Sequence, residues 1–122
     1  MERVFVLLKR KPGITFEEFR DHYENSHALL GEKYFGHLFR SYRRNYIPAG
    51  VRFSDGASGE NAYDCLTELV FHDAGGYAEL KRIAGKPEIR AVLVEDEARF
   101  LDRTVSGNAI AVPIESDLSR FH

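Results

Sequence analysis

Hydrophobic and polar positions follow two different periods along this chain, and their order predicts its elements. Residues Arg3 to Arg10 are rich in β-formers and apolar at both alternating sets of positions, which predicts a strand buried on both faces. Thr15 and Glu18 have the spacing of a capping box, so a helix should begin after Thr15. Its apolar face is formed by residues three or four apart, namely Phe16, Phe19, Tyr23, His27, Leu30 and Tyr34. A polar histidine therefore lies among apolar neighbours.

The rest of the chain predicts three further strands and a second helical region. The predicted segments are a strand at Phe39–Ile47, a Gly- and Ser-rich mobile loop at Pro48–Asn61 bordering a pocket, a strand at Tyr63–His72, a short helix at about Tyr77–Ile83, a helix from Pro87 to about Leu101, and an edge strand around Asn108–Ile114. In the second long helix, Asp96 shares the inward stripe with the apolar residues Ile89, Val92, Leu93 and Phe100. The order β-α-β-β-α-β is that of an α+β, ferredoxin-like split βαβ fold with an antiparallel sheet.

Composition narrows the classes of function. With 122 residues, of which 43% are hydrophobic, the chain is predicted to form a single domain over residues 1–122, with a core at about 4–114 and a polar C-terminal tail. Seventeen Lys and Arg against nineteen Asp and Glu leave a formal charge of −2, which disfavours nucleic acid or an anionic membrane as partner. No segment has the length of a membrane span, and a lone cysteine suits a reducing compartment, so we expect a cytoplasmic protein.

The predicted sheet has one face that the two helical segments do not cover. Both alternating sets of the first strand are apolar, and the third strand also carries apolar residues on both sides. A monomer would expose more contiguous apolar surface than is usual for soluble proteins. We therefore expect a homodimer that forms through this sheet face.

Three segments together resemble the EthD family, named for ethyl tert-butyl ether degradation, in the dimeric α+β barrel superfamily. They are LLKRKPGITFEEFRDHYENSHALL at Leu7–Leu30, YDCLTELVFHD at Tyr63–Asp73 and DEARFLD at Asp96–Asp102. The resemblance implies a dimeric barrel with a pocket between sheet and helices in each protomer. Relatives in the superfamily include cofactor-free monooxygenases, polyketide cyclases and dehydratases, and muconolactone-type isomerases, so the activity has to be argued from the site.

His27 and Asp96 are the leading catalytic candidates. A histidine can accept and donate protons near neutral pH, and His27 lies on the inward helix face one turn after Tyr23. The alternative is a core histidine with a purely structural hydrogen bond. Asp96, a carboxylate on an inward face, needs a partner, which could be an arginine, a neighbouring element or a histidine that it orients.

Several other side chains are candidates for contacting a substrate. The aromatic residues Phe16, Phe19, Tyr23, Tyr42, Phe71 and Phe100 could form apolar walls, and Arg43, Asn45 and Asp64 could bind or orient polar groups. Cys65 is expected to fill the core. His22 lies off the apolar stripe and is expected to be solvated. The histidine spacing predicts no metal site, and no motif indicates a bound cofactor.

These features favour a cofactor-independent enzyme that moves protons on a small apolar aromatic, phenolic or lactone substrate. The reaction would be that of a lyase, isomerase or cyclase, with His27 transferring the proton and with Tyr23 and Asp96 positioning it. Two alternatives remain open at this point. One is a non-catalytic dimeric binding or accessory protein of a degradation pathway, and the other is a cofactor-free monooxygenase.

Overall fold

The strands build one antiparallel sheet, flanked by helices. The computed structural model describes residues 1–122. Its main strands are β1 (Arg3–Leu8), β2 (Phe39–Tyr46), β5 (Cys65–Phe71) and β6 (Gly107–Ile110), and a separate hairpin consists of β3 (Gly50–Val51) and β4 (Ser58–Gly59). The four main strands pair in the order β2-β5-β1-β6, all antiparallel. This confirms the predicted α+β, ferredoxin-like arrangement, with the most apolar strands at its centre.

A long helical segment connects β1 to β2. It begins as α1 (Phe16–His22) at the predicted capping box, where Glu18 N–H donates to the Thr15 side chain and Thr15 N–H donates to the Glu18 carboxylate, both at 3.0 Å. It then passes through a π-helical turn, Tyr23–His27, into α2 (Ala28–Phe35). The backbone N–H of Ala28 donates to the carbonyl of Tyr23, five residues earlier. This turn therefore contains one residue more than a regular α-helical turn.

The π turn shifts the buried face of the helix by one position. Up to its first residue, the buried side chains are Phe19 and Tyr23, as the spacing predicts. After it, the buried side chains are Ala28 and Phe35 rather than the predicted Leu30 and Tyr34, which are only half-buried. A stripe drawn with constant α-helical spacing loses its register here, because one residue has been added to the turn.

Two shorter helices, α3 (Gly76–Ala84) and α4 (Pro87–Glu97), complete the helical layer. Ile83 and Leu93 pack with Phe35 of α2 in one apolar cluster. α4 ends before the predicted Leu101, yet Phe100 beyond it is fully buried. None of the helices combines the length and the apolar character needed to cross a membrane.

The opposite face of the sheet has no helical cover. Phe5, Leu7 and Leu66 alternate with the helix-facing residues of β1 and β5, and Leu7 pairs with Leu66. All three are half-buried in the single chain. Within one chain, the helices thus cover β1 on one face only.

The C-terminal part differs from the sequence prediction in extent. β6 ends at Ile110 rather than Ile114, because β1, its only neighbour, begins at Arg3, which already accepts the N–H of Ala111. The segment from residue 112 onward is exposed and ends in a 3₁₀ turn, Ser119–Phe121. Its exposed large apolar residues are Val112, Ile114, Leu118 and Phe121. The tail that was predicted to be polar therefore also exposes apolar side chains.

Candidate functional site

A cavity of about 240 Å³ lies between the helices and the inner face of the sheet. This volume is slightly below the usual range for ligand pockets and suits a small molecule. The polar lining residues are Tyr23, His27, Tyr42, Thr67, Glu97, Arg103, Ser106 and Asn108. The remaining lining residues are Val6, Leu8, Gly31, Phe35, Phe39, Leu69, Leu80, Leu93, Leu101 and Gly107. The cavity is thus mainly apolar, with a few polar groups that could fix the orientation of a ligand.

His27 lines this cavity and is held from behind by Asp96. The Nδ1 atom of His27 lies 2.9 Å from Oδ2 of Asp96, whose residue is only 4% exposed. An ionised carboxylate can only accept, so Nδ1 carries the proton of this hydrogen bond. The ring is packed between Tyr23 and Phe100, with centroid distances of 5.9 and 5.2 Å. In the neutral ring Nε2 is then the nitrogen without a proton, and it has no hydrogen-bond partner within the protein.

Asp96 remains ionised despite its burial. Burial alone would raise the pKa of its carboxyl, but hydrogen bonds from Ser26 at 2.7 Å and from His27, together with the proximity of His22, bring this pKa below its ordinary value. Hydrogen bonds to the charged form favour that form. The carboxylate can therefore fix the tautomer of His27 and stabilise a positive charge on its ring.

His22 was expected at the solvated surface, and the structure corrects this. Its Nε2 lies 3.0 Å from Oδ1 of Asp96, and its ring is 4.8 Å from that of Phe100. Residues five apart in an α-helix point about 140° away from one another. The wider π turn brings His22 and His27 to the same side, so that each contacts one oxygen of Asp96. Sequence spacing offers no signal for this turn.

A second polar group on the cavity wall consists of hydroxyls. The Tyr42 hydroxyl donates to that of Tyr23 at 3.1 Å, and the Tyr23 hydroxyl is 2.7 Å from Oγ1 of Thr67. Burial raises the pKa of Tyr42 to about 12 and that of Tyr23 well above its ordinary value. Both phenols are therefore neutral hydrogen-bonding groups over the physiological pH range.

Gly31 allows Tyr42 to approach α2 closely. A Cβ atom added at Gly31 would lie 3.2 Å from both the hydroxyl oxygen and Cε2 of Tyr42. Glycine within a helix costs about 0.5–1 kcal/mol relative to alanine. The close approach of Tyr42 explains why a glycine occupies this helical position. A glycine at an inward helix position was a signal in the sequence that pattern reasoning did not use.

Beside the cavity, Glu24 ties the edge strand β2 to the helix. Arg44 Nε and Nη2 donate to its two oxygens at 2.6 and 2.8 Å, and the Tyr46 hydroxyl donates to Oε2. The hydrogen bonds from Arg44 lower the pKa of Glu24. The guanidinium of Arg44 also lies 4.8 Å from the ring centroid of Tyr42. The cluster thus places a positive charge beside the ring of Tyr42.

The predicted aromatic walls are only partly those of the cavity. Tyr23 and Tyr42 line it, whereas Phe16, Phe19, Phe71 and Phe100 do not. Phe19, Phe71 and Phe100 are completely buried in the core around it. Phe16 packs against Phe19 and Tyr46. An inward aromatic position thus identifies the interior of the protein, but the gap that becomes a cavity depends on how the elements pack.

The predicted polar contacts on the strands also lie elsewhere. Arg43 is exposed, and Asn45 donates to the carbonyl of Leu66 at 3.0 Å. Asp64 precedes β5 and accepts the backbone N–H of Arg10 at 2.8 Å, with Lys9 Nζ at 3.6 Å. It therefore fastens the end of β1 and does not line the cavity. No residue of the loop between Pro48 and Asn61 borders the cavity either.

Two observations bear on metal chemistry and on reactive groups. No group of three or more His, Cys, Asp or Glu side chains is arranged to hold a metal ion. Each of the two imidazoles instead turns one nitrogen to Asp96. Cys65 is buried in the core, as expected, and burial raises the pKa of its thiol to about 11, which keeps it in the unreactive thiol form.

Comparison with known structures agrees with this fold. An EthD family protein from Bacillus halodurans is 22% identical, with 93% of this chain and 100% of the other covered and a TM-score of 0.62. An uncharacterized NIPSNAP domain protein from Burkholderia xenovorans is 14% identical over 93% and 95% of the two chains, with a TM-score of 0.53. A hypothetical Arabidopsis thaliana protein is 14% identical over 96% and 91%, with a TM-score of 0.59.

At these identities the likeness to solved structures concerns the fold alone. No curated protein matches the chain. Residues 11–104 match the EthD domain, and this range contains His22, His27, Asp96 and most of the cavity. Since the match extends over more than half of the chain, this protein belongs to the EthD domain family.

Proposed function

We propose that this protein is an enzyme that transfers protons on a small, largely apolar substrate, with His27 as the general base. The observation that carries the proposal is the orientation of the His27 ring. Its Nδ1 is bound to Asp96 at 2.9 Å, while the ring itself lines the cavity. This arrangement presents the basic nitrogen Nε2 to a ligand and places a carboxylate behind it, as is usual for a histidine that takes up a proton during a reaction.

The surroundings support a reaction in which only protons move. When Nε2 removes a proton from a substrate atom, the ring becomes an imidazolium whose charge faces the ionised Asp96. Returning that proton to a different atom gives an isomer, and giving it to a departing hydroxyl gives a dehydration. The apolar walls limit water around the reacting atoms. Aromatic, phenolic and lactone compounds of small size suit such a cavity, so lyase, isomerase or cyclase chemistry is the proposed class.

The test combines ligand binding with turnover in wild type and in His27→Asn. The asparagine amide can replace Nδ1–H as a donor to Asp96, so this variant removes Nε2 and keeps the buried hydrogen bond. A thermal-shift screen with phenols, aromatic acids, lactones and fused-ring compounds identifies a ligand that raises the melting temperature of both proteins. Conversion of that ligand should fall by roughly 10²–10⁴-fold in the variant, and wild-type activity should decrease towards acid pH.

His37→Asn is the matched control, since His37 is exposed and lies outside the cavity. It should retain wild-type turnover. Full activity of His27→Asn, or a rate that does not change between pH 5 and 8, would exclude His27 as the base. Ligand binding without any turnover in the wild type would favour a non-catalytic binding protein instead.

A further inference from the structure

Three hydroxyl groups form a continuous hydrogen-bond chain that reaches the cavity. The chain starts at Thr67, which is completely buried, passes through Tyr23, which is 2% exposed, and ends at the half-buried Tyr42. Its two links measure 2.7 Å and 3.1 Å. All three residues line the cavity together with His27. The hydrogen bonds therefore run along the same wall that carries the proposed base.

Such a chain can run in either direction. In the structure the Tyr42 hydroxyl donates to Tyr23, while either partner can be the donor between Tyr23 and Thr67. Each hydroxyl carries one proton and can also accept, and its hydrogen turns about the C–O bond. When Thr67 donates to Tyr23 and Tyr23 donates to Tyr42, the proton of Tyr42 becomes available to a ligand. Donation along the chain then strengthens this last donor by polarisation.

Three further features favour Tyr42 as the donor of the chain. Its phenol stays protonated, because burial raises its pKa to about 12. The guanidinium of Arg44, 4.8 Å from the ring centroid, places a positive charge on the ring face. Gly31 leaves room beside the hydroxyl, where any larger residue would press on it. The hydroxyl is therefore fixed in position by its neighbours.

We infer that the Thr67–Tyr23–Tyr42 chain binds the carbonyl oxygen of the substrate, and that the substrate class is an enolisable carbonyl compound. This inference rests on the proposed function, because it assigns a ligand to the same cavity. A carbonyl oxygen only accepts, and it matches a chain that ends in one available donor. The neighbouring C–H bond is then the one that His27 breaks.

The step balances without a further reactant. The C–H bond next to the carbonyl breaks, its proton goes to Nε2 of His27, and its electron pair forms the carbon–carbon double bond of the enolate. The carbonyl oxygen becomes negatively charged and accepts a stronger hydrogen bond from Tyr42. Return of the proton from Nε2 to carbon or oxygen completes the reaction. Nothing is oxidised or reduced overall.

A pair of probes of similar shape tests the oxygen contact without any turnover. Acetophenone has a carbonyl oxygen where isopropylbenzene has a methyl group. The affinity of each for wild type, Tyr42→Phe and Tyr63→Phe is measured by calorimetry. We expect Tyr42→Phe to weaken acetophenone binding by roughly threefold to tenfold, the value of one neutral hydrogen bond. Binding of isopropylbenzene should not weaken. Tyr63→Phe, which removes the hydroxyl of a tyrosine that does not line the cavity, should leave both affinities unchanged.

Variants of Thr67, the buried end of the hydrogen-bond chain, show whether all three hydroxyls contribute to binding the carbonyl oxygen. Thr67→Val should weaken acetophenone binding selectively, and Thr67→Ser should restore it, because only the latter keeps the hydroxyl. If Tyr42→Phe lowers the stability of the protein, Tyr23→Phe is measured as a second variant. It should also weaken the binding of acetophenone but not that of isopropylbenzene.

The inference is overturned if wild type does not bind acetophenone, or if Tyr42→Phe affects both probes equally. His27→Asn should bind acetophenone as the wild type does. If His27→Asn is active and still binds acetophenone, His27 is not the general base, but the carbonyl-binding role of the hydroxyl chain stands. The two proposals can therefore fail separately.

Discussion

Asp96 receives three hydrogen bonds from one helical segment. Ser26 and His22 donate to Oδ1, and His27 donates to Oδ2. Three donors around one buried carboxylate offset the cost of removing its charge from water. They also link α4, which carries Asp96, to the π turn. Asp96 thus connects two helical elements and also provides a negative charge beside His27. Its replacement should therefore lower both the stability and the activity of the protein.

The lowered pKa of Asp96 predicts a pH-dependent contribution to stability. A carboxyl group with a pKa below its ordinary value of 3.8 in the folded state stabilises that state above this pH, and the contribution is lost as the pH falls through the folded-state value. Asp96→Asn should therefore melt at lower temperature than the wild type at pH 7, by several degrees. The difference should shrink towards pH 3. Thermal unfolding monitored by circular dichroism measures both.

Asp21→Asn is the control for this experiment, because Asp21 is exposed on the same helical segment. Its melting temperature should follow that of the wild type at every pH. A difference between wild type and Asp96→Asn that stays constant from pH 7 to pH 3 would contradict a stabilising carboxylate.

For single residues, the sequence identifies polar side chains at inward positions better than it identifies the partners of those side chains. His27 and Asp96 stand out because each is polar on an apolar stripe, and the structure brings them together. The contact with His22 could not be predicted, since it depends on a π turn. Likewise Phe19 and Phe100 were correctly expected inside, but periodicity cannot distinguish a side chain that fills the core from one that borders a gap.

Among the elements, the π turn determines the geometry of the site. It lies between two regular helices, and its residues Tyr23 and His27 both line the cavity. π turns often occur at functional sites, where one additional residue changes the direction of the following side chains. Here it places two histidines five residues apart on one carboxylate.

Deletion of the exposed Asn25 should convert this turn into regular α-helix. His22 and the following histidine would then be four residues apart, about 40° from one another around the helix axis, so both would still face Asp96 and the residues beyond would keep their buried face. We expect far-ultraviolet circular dichroism to show unchanged helix content, and turnover to fall less than in His27→Asn. Asn25→Ala keeps the length of the turn and should remain fully active. A deletion variant as inactive as His27→Asn would contradict this geometry.

The other elements were predicted with errors at their ends. Alternation of apolar residues located β1, β2 and β5 to within two residues, because these strands have one face against the helices. β6 and α4 end earlier than predicted, and neither end is marked by the local pattern. β6 stops where its only neighbour stops, which is a property of the sheet and not of its own residues.

For the whole molecule, one face of the sheet carries apolar residues that the helices do not cover. Phe5, Leu7 and Leu66 lie on it without helical cover. We propose that a second copy of the chain covers this face, as the apolar character of β1 predicts. A face-to-face contact would leave both cavities accessible, since they lie on the opposite side of each sheet.

Light scattering tests this arrangement. Wild type should have about twice the chain mass of 13.9 kDa, and Leu66→Glu should have the mass of a single chain, because it places a charge in the centre of the contact. Val92→Glu, a similar change at a partly exposed position on α4, should leave the dimer intact. A wild type that is monomeric at micromolar concentration would contradict the proposal.

The weakest wall of the cavity is β6. This strand is four residues long, has β1 as its only neighbour and is exposed along its whole length, yet Gly107 and Asn108 on it line the cavity. Short edge strands separate from a sheet at low free-energy cost. Brief fraying of β6 would widen the opening of the cavity beside Gly107 and Asn108, so that small molecules could exchange with solvent while His27 and Asp96 stay in place. Ligands would then enter and leave beside β6, while a different part of the fold holds the reacting groups in place.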